Sequence, residues 1–106
     1  MLENLSEKEN AVLDVIRTVI DPEVALNIVD LGLIYNVTIE EDKKHIHVLA
    51  TLSARGCPVG DTILNHIDTV IRANFDGYTV DVELTWEPEW TPELISDAGK
   101  EALGHM

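Results

Sequence analysis

Basic residues are scarce in this sequence. Seven Lys and Arg stand against twenty Asp and Glu, which gives a formal net charge of -13 at pH 7. A surface this negative repels phosphate backbones and anionic lipid headgroups, so we expect neither nucleic acid nor a membrane surface as a partner. A basic patch on another protein or a metal cation suits this field better, although most of the charge is expected to serve solubility.

Cysteine is scarce as well, because Cys57 is the only one in 106 residues. A single cysteine cannot form an internal disulfide, and the N-terminus shows no signal-peptide pattern, so we expect a reducing compartment, the cytoplasm. The sequence has no Cys-x-x-Cys or His-x-x-His pair for a metal site. Long apolar runs are also missing, and none approaches the roughly 20 residues that span a bilayer.

The composition is otherwise typical of a folded domain, with 45% hydrophobic and 25% charged residues. We expect one domain over residues 1–106. Hydrophobic periodicity predicts an α+β fold, a two-layer α/β sandwich in which helices cover one face of a small three-stranded sheet. The predicted order is α-β-β-α-β and a short final helix, at residues 6–20, 34–42, 45–52, 58–75, 78–86 and 91–104.

Local signals mark the ends of the predicted helices. Ser6 and Glu9 have the spacing of a capping box at the start of the first helix. The Asp21–Pro22 step ends that helix, because proline pushes the preceding residue out of the α region. Thr91 is predicted to cap the last helix and Gly104 to close it.

Cys57 stands in the segment ARGCPVGD, directly before the second predicted helix. Pro58 suits the first helical position, which makes Cys57 the N-cap residue. Unpaired N–H groups and the positive end of the helix dipole favour a thiolate there, and Arg55 adds positive charge. Gly56 removes side-chain bulk and allows a close approach. The alternative is a structural role, since free cysteine is often a small buried hydrophobe.

The sequence shows no catalytic base for Cys57. His66 lies nine residues further on, roughly 13 Å up the predicted helix at ~1.5 Å per residue, which is too far for a hydrogen bond to the thiol. His45 and His47 share one strand face, which favours solvation over a surface metal pair. His105 lies in the tail. A cysteine-dependent hydrolase or transferase therefore lacks its base.

A single thiolate does not complete a zinc or iron–sulfur site, which usually takes four protein ligands. Two chains that meet at Cys57, in a homodimer, would supply two thiolates. Carboxylates, histidines, a small thiol or a client protein would have to supply the other ligands. This ligand count favours a labile site that passes its metal on to another protein over a site that stores metal.

The segment between the first helix and the first strand has no clean period, and irregular segments of this length are often functional. Asp21 and Glu23 are expected there as surface charges, caps or supporting groups. Asp30 sits among apolar residues and must find donors, so it is the stronger candidate for a role. Trp86 and Trp90 either cover the end of the sheet, which is the favoured interpretation, or form an exposed anchor for a partner.

Three segments carry a family resemblance: DPEVALNIVDLGLIYNV, TLSARGCP and ELTWEPEWTPELIS. Their order and spacing resemble the MIP18-like family, also called DUF59 or PaaD-like, whose bacterial members include the SufT-type iron–sulfur maturation proteins. The resemblance implies an auxiliary factor in iron–sulfur cluster assembly or transfer that is not an enzyme. It also implies assembly machinery and client apo-proteins as partners, and a labile iron–sulfur cluster that is not bound stably.

The resemblance also implies roles for individual residues. Cys57 matches the family's characteristic cysteine and would be the functional thiol and the transient cluster ligand. The Trp-Pro-Trp segment matches Trp86 and Trp90 as partner-binding residues. Arg55 is a departure, because the family more typically has proline or a small residue there. The expected supporting residues are Asp21, Glu23, Asp30, Thr51, Arg55, Gly56 and Pro58.

The family also includes accessory proteins of the phenylacetyl-CoA oxygenase pathway, which often carry extra cysteines in a longer C-terminal region. No cysteine follows Cys57 here, which favours the SufT-like type. A non-catalytic interaction adapter, in which Cys57 is only structural, is the alternative function.

Overall fold

The computed structural model describes residues 2, 4–56 and 60–104. Nine elements follow one another along the described chain. They are α1 (Glu7–Ile16), β1 (Ile20–Asp21), β2 (Leu26–Asn27), β3 (Ile34–Glu40), β4 (His45–Ala50), α2 (Gly60–Asn74), β5 (Thr79–Leu84), a 3₁₀ helix (Pro92–Leu94) and α3 (Asp97–Ala102). None of the helices in the described ranges is long and apolar enough to cross a membrane.

The main sheet has the strand order β3-β4-β5. β3 and β4 form an antiparallel hairpin, whereas β4 and β5 are parallel and are connected through α2. A shift in register between Ile34 and Asn36 interrupts the alternation of β3, so that both Ile34 and Tyr35 are buried. The parallel pair places Ala50 opposite Leu84, so the segments that follow β4 and β5 leave the sheet at the same end.

Both long helices cover one face of this sheet. α1 contacts α2 and β3, and α2 contacts β5. The core between the layers is aliphatic and includes Ile16, Ile46, Val48, Ile67 and Ile71, all of which are fully buried. Burial of each such side chain contributes about 1.5–3 kcal/mol relative to exposure. The predicted α+β sandwich, with helices on one face of a three-stranded sheet, is confirmed.

The first helix begins as predicted but ends earlier. Its capping box is present: the Ser6 hydroxyl accepts from the Glu9 N–H, and the Glu9 carboxylate accepts from the Ser6 N–H. The prediction that the helix continues to residue 20 is wrong, because α1 ends at Ile16. The carbonyl of Val19 instead accepts a hydrogen bond from the N–H of Ile28, 3.0 Å away. The chain has already left the α-helix at this point, because the N–H groups of Thr18 and Val19 donate to the carbonyls three residues back, those of Val15 and Ile16.

The segment 21–32 is more regular than predicted. Ile20 pairs with Asn27 and Asp21 with Leu26, forming a two-stranded antiparallel sheet, β1–β2. Ala25 takes a φ of 58° in the connecting turn. Short hydrophobic pieces of two residues carry no readable period, which is why the sequence did not predict this hairpin.

The C-terminal helix also differs from its prediction. The Thr91 side chain makes no capping hydrogen bond, and Ile95 is extended, so the chain forms a 3₁₀ helix and then the separate helix α3. Ser96 is the true cap, because its hydroxyl accepts from the N–H of Gly99 at 3.0 Å. Gly104, with a φ of 86°, follows the end of α3 as predicted. The predicted start of the second helix at Pro58 lies outside the described residues.

Residues 86–104, here called the C-terminal segment, pack closely against the loop that precedes β3. A Cβ atom at Gly32 would lie 2.5 Å from the carbonyl oxygen of Leu94. A Cβ atom at Gly99 would lie 3.0 Å from the carbonyl oxygen of Asp30. Gly32 therefore allows a backbone contact that a side chain would block, and Gly99 allows a close approach that a side chain would crowd.

Replacing Gly32 with Ala tests this contact. Gly32 and Gly77 both have positive φ, 88° and 85°, but a Cβ atom at Gly77 would meet no atom within 4 Å. Gly77→Ala should lower the free energy of unfolding by about 1 kcal/mol through backbone strain alone. Gly32→Ala adds the clash and should cost about 2–4 kcal/mol. Urea unfolding of both variants gives the two values, and equal losses would contradict the close packing.

Candidate functional site

The loop after β4 leads from the core to the surface. The Thr51 N–H donates to the carbonyl of Leu33 at 2.8 Å, and the side chains of Thr51 and Leu52 are buried. Residues 53–56 are exposed, and Gly56 takes a φ of 75°. The two buried residues thus hold an exposed turn in a fixed position. Cys57 and Pro58 follow this turn in the sequence and lie outside the described residues, so the N-cap thiolate stays a prediction.

A cavity of about 340 Å³ opens beside this turn. The two walls of the cavity lie side by side because β4 and β5 are parallel and end together. Where the strands end, the Thr85 N–H still donates to the Ala50 carbonyl at 2.8 Å. One wall is the loop after β4 and the other is the start of the C-terminal segment. The lining residues are Leu52, Ser53, Ala54, Arg55, Trp86, Glu89 and Trp90.

Arg55 stacks on Trp86, and both residues line this cavity. The guanidinium carbon of Arg55 lies 4.5 Å from the centroid of the Trp86 ring, a cation–π distance. Among the described residues, no carboxylate forms an ion pair with Arg55, although the chain carries twenty acids. Stacking leaves the in-plane N–H groups of the guanidinium available to a ligand.

Trp90 has a structural role in addition to lining the cavity. Its indole N–H donates to the carbonyl of Leu31 at 2.8 Å, and its ring packs against the hydrophobic core. Nearby, the hydroxyl of Tyr35 donates to the carbonyl of Pro88 at 2.8 Å, and burial raises the pKa of Tyr35. The interpretation that the tryptophans cover the end of the sheet thus fits Trp90, whereas Trp86 lies against Arg55.

The carboxylate of Asp30 is surrounded by hydrogen-bond donors, as its apolar neighbours in the sequence led us to expect. Its carboxylate accepts hydrogen bonds from the Asn27 amide at 2.7 Å, the Ser96 hydroxyl at 2.9 Å and the Arg17 guanidinium at 3.3 Å. The hydrogen bond from Asn27, followed by those of Ser96 and Arg17, holds the pKa of Asp30 below its usual value against the opposing effect of burial. Asp30 therefore joins α1, its own loop and the start of α3.

Asp21 builds the turn between β1 and β2. Its side chain is buried, with 4% exposed, and Oδ1 accepts from the Glu23 N–H at 2.8 Å. The Ala25 N–H donates to the Asp21 carbonyl at 2.8 Å. The expectation of Asp21 as a surface charge is therefore wrong, because an Asx turn needs its carboxylate turned back onto the chain. Glu23 is exposed, and none of Asp21, Glu23 and Asp30 lines the cavity.

The histidines of β4 lie on the sheet face away from the helices, as predicted. His45 Nδ1 lies 2.7 Å from the Thr79 hydroxyl, and His47 Nε2 lies 2.9 Å from Glu83. His66 is exposed on α2. His105 lies outside the described residues. Within the described part of the chain, no group of three or more His, Cys, Asp or Glu residues is arranged to hold a metal ion.

Several residues of the site were not found from the sequence. Asn27 and Ser96 hold Asp30, Arg17 pairs with it, and Glu89 lines the cavity. The N-x-x-D spacing of Asn27 and Asp30 was a usable signal, because the Asn27 side-chain oxygen accepts the Asp30 N–H at 2.9 Å in a local turn. Arg17, Ser96 and Glu89 come from distant segments and have no local signal.

Two helices on one face of a mixed three-stranded sheet, with the C-terminal segment packed against the loop that precedes β3, define the fold of this class of protein. Over residues 9–86 the chain matches the model of the family described as iron–sulfur cluster assembly protein. The chain belongs to this family, and the resemblance to the MIP18-like, or DUF59, proteins is confirmed.

Individual relatives resemble most of the chain. It is 38% identical over 86 residues to the "Fe-S protein maturation auxiliary factor SufT" of Staphylococcus aureus, covering 81% of this chain and 97% of the relative. It is 35% identical over 100 residues to an "Fe-S protein maturation auxiliary factor" of Porphyromonas gingivalis, covering 94% of each. A solved DUF59 structure from Bacillus anthracis, 34% identical over 91% of each chain, superposes with a TM-score of 0.85.

Neutralising Asp30 tests its role in joining three segments. The pKa of folded Asp30 is lowered, so its stabilisation is present above the unfolded value of about 3.9 and is lost as the pH falls through the folded pKa. Asp30→Asn should cost about 2 kcal/mol at pH 7. The loss should shrink below about pH 4.

Urea midpoints of wild type and Asp30→Asn between neutral and acidic pH measure this dependence. The control is Asp42→Asn, at the exposed tip between β3 and β4, which should be close to wild type throughout. A difference between wild type and Asp30→Asn that stays constant with pH would contradict a charge-dependent role.

The two tryptophans should differ in their effect on stability. Trp90→Phe removes the N–H that satisfies the Leu31 carbonyl and should lower the free energy of unfolding by about 1–2 kcal/mol. Trp86→Phe keeps a ring for Arg55 and removes no hydrogen bond recorded among the described residues, so it should cost less than about 0.5 kcal/mol. Chemical denaturation of both variants compares them, and a larger loss for Trp86→Phe would overturn the assignment.

Proposed function

We propose that the protein is a non-catalytic auxiliary factor in the maturation of iron–sulfur proteins, active in the cytoplasm through the thiolate of Cys57. The relatives that cover most of the chain carry the name of Fe–S protein maturation auxiliary factors. The structural observation that carries the proposal is the anchored turn 53–56. It leads from the buried Thr51 to the residue before Cys57, beside a cavity with two tryptophans.

The thiolate acts as a ligand in this proposal. Binding to iron deprotonates the Cys57 thiol, and the sulfur donates an electron pair to the metal. Transfer follows by exchange, in which a thiolate of the client apo-protein replaces that of Cys57 on the iron. Neither sulfur changes its oxidation state in this exchange. The cluster is thus cargo that the protein receives and releases.

The ligand count supports transfer over storage. The described residues contain no group of three acids, histidines or cysteines arranged for a metal, and the chain offers one thiol. A cluster on this protein therefore needs ligands from a second copy, an assembly protein or a client. A site that is completed only by a partner loses its cargo when a better ligand set arrives.

Anaerobic reconstitution tests the role of the thiol. Wild type, Cys57→Ala and the control Ser53→Ala are incubated with ferrous iron and sulfide, desalted and examined by absorption spectroscopy. Wild type and Ser53→Ala should develop the same visible bands, and Cys57→Ala should lose them. Ser53 lies on the same exposed turn and lines the cavity, so it controls for disturbance of the loop.

A second measurement follows the activation of a client apo-protein after transfer from each reconstituted variant. Cys57→Ala should transfer no cluster, whereas Ser53→Ala should match wild type. Full client maturation by Cys57→Ala would contradict the thiolate mechanism. An interaction adapter in which Cys57 is structural would then be the better function.

A further inference from the structure

The cavity between the loop after β4 and the C-terminal segment presents two opposite charges. Arg55 and Glu89 both line it, and no ion pair among the described residues joins them. Both side chains are exposed, so each can be reached by a ligand from solvent. The cavity therefore keeps one cationic and one anionic group available to a ligand.

Apolar side chains line the cavity beside these charges. The half-buried indole rings of Trp86 and Trp90 and the buried side chain of Leu52 belong to its lining. Both rings are held in place, Trp86 by the guanidinium that stacks on it and Trp90 by its hydrogen bond to Leu31. Fixed aromatic walls with a few polar groups are typical of small-molecule sites, and about 340 Å³ lies at the small end of their range.

We propose that this cavity binds a small zwitterion of the amino-acid class with an apolar side chain. The in-plane N–H groups of Arg55 would bind the carboxylate, as guanidinium groups do in two-point contacts. The carboxylate of Glu89 would accept hydrogen bonds from the ammonium group. The side chain would lie against Trp86 and Trp90. This site uses described residues alone and does not depend on the role of Cys57.

Intrinsic fluorescence provides a local readout. Trp86 and Trp90 are the only tryptophans of the chain, and both line the cavity. L-leucine is a suitable probe, and it should give a saturable fluorescence change with a dissociation constant of about 1 mM. 4-Methylpentanoic acid, which lacks the ammonium group, and 3-methylbutylamine, which lacks the carboxylate, should each bind at least about tenfold more weakly.

Two variants separate the charges. Arg55→Gln should weaken L-leucine binding about tenfold or more. Glu89→Gln should lose the preference for L-leucine over 4-methylpentanoic acid. Lys43→Gln, at the hairpin tip, and Glu87→Gln, two residues before Glu89, make the same charge changes outside the cavity. Both controls should bind like wild type.

The proposal would be overturned by any of three results. The first is the absence of a saturable fluorescence change up to about 10 mM L-leucine. The second is equal binding of 4-methylpentanoic acid, which would make the cavity a simple anion site. The third is equal or tighter binding of N-acetyl-L-leucine, which would indicate the chain end of a partner protein. None of these results bears on cluster binding by Cys57, which reconstitution measures separately.

Discussion

The carboxylate of Asp30 connects three parts of the chain that are far apart in sequence. Its oxygens accept hydrogen bonds from Arg17 at the end of α1, from Asn27 in its own loop and from Ser96 before α3. A half-buried carboxylate is costly without donors, so the three donors must assemble together when the chain folds. Together with the hydrogen bonds from Trp90 to Leu31 and from Tyr35 to Pro88, this carboxylate holds the C-terminal segment in place.

Because the protein has few basic side chains and many acidic ones, the partner of each Lys and Arg side chain is informative. Five of the seven basic side chains form ion pairs with acids of the described chain, namely Lys8, Arg17, Lys43, Lys44 and Arg72. Lys8 also donates to the Tyr78 hydroxyl, which donates to Glu41, so this corner holds α1 to the β3–β4 hairpin. Arg55 is used differently, since it stacks on Trp86 and both side chains line the cavity.

Local physical chemistry was enough to predict most of the fold. Alternation of apolar residues predicted β3, β4 and β5, and helical spacing predicted the buried faces of α1 and α2. The capping box of Ser6 and Glu9 needs only neighbouring atoms, and it is present. The predictions failed where distant atoms compete with local ones. Beyond the end of α1 the Val19 carbonyl bonds Ile28, and the cap of α3 is Ser96, which also bonds Asp30, instead of Thr91.

The sequence by itself determined the two long helices, the three strands of the main sheet, the family and the single thiol at Cys57. Only the tertiary structure decided which residues surround the loop that leads to Cys57. Arg55 and Trp86 are far apart along the chain, yet they stack, because β4 and β5 are parallel and Ala50 lies opposite Leu84. Parallel strands send their following loops to one edge, and no local pattern encodes that register. The cavity exists for this reason.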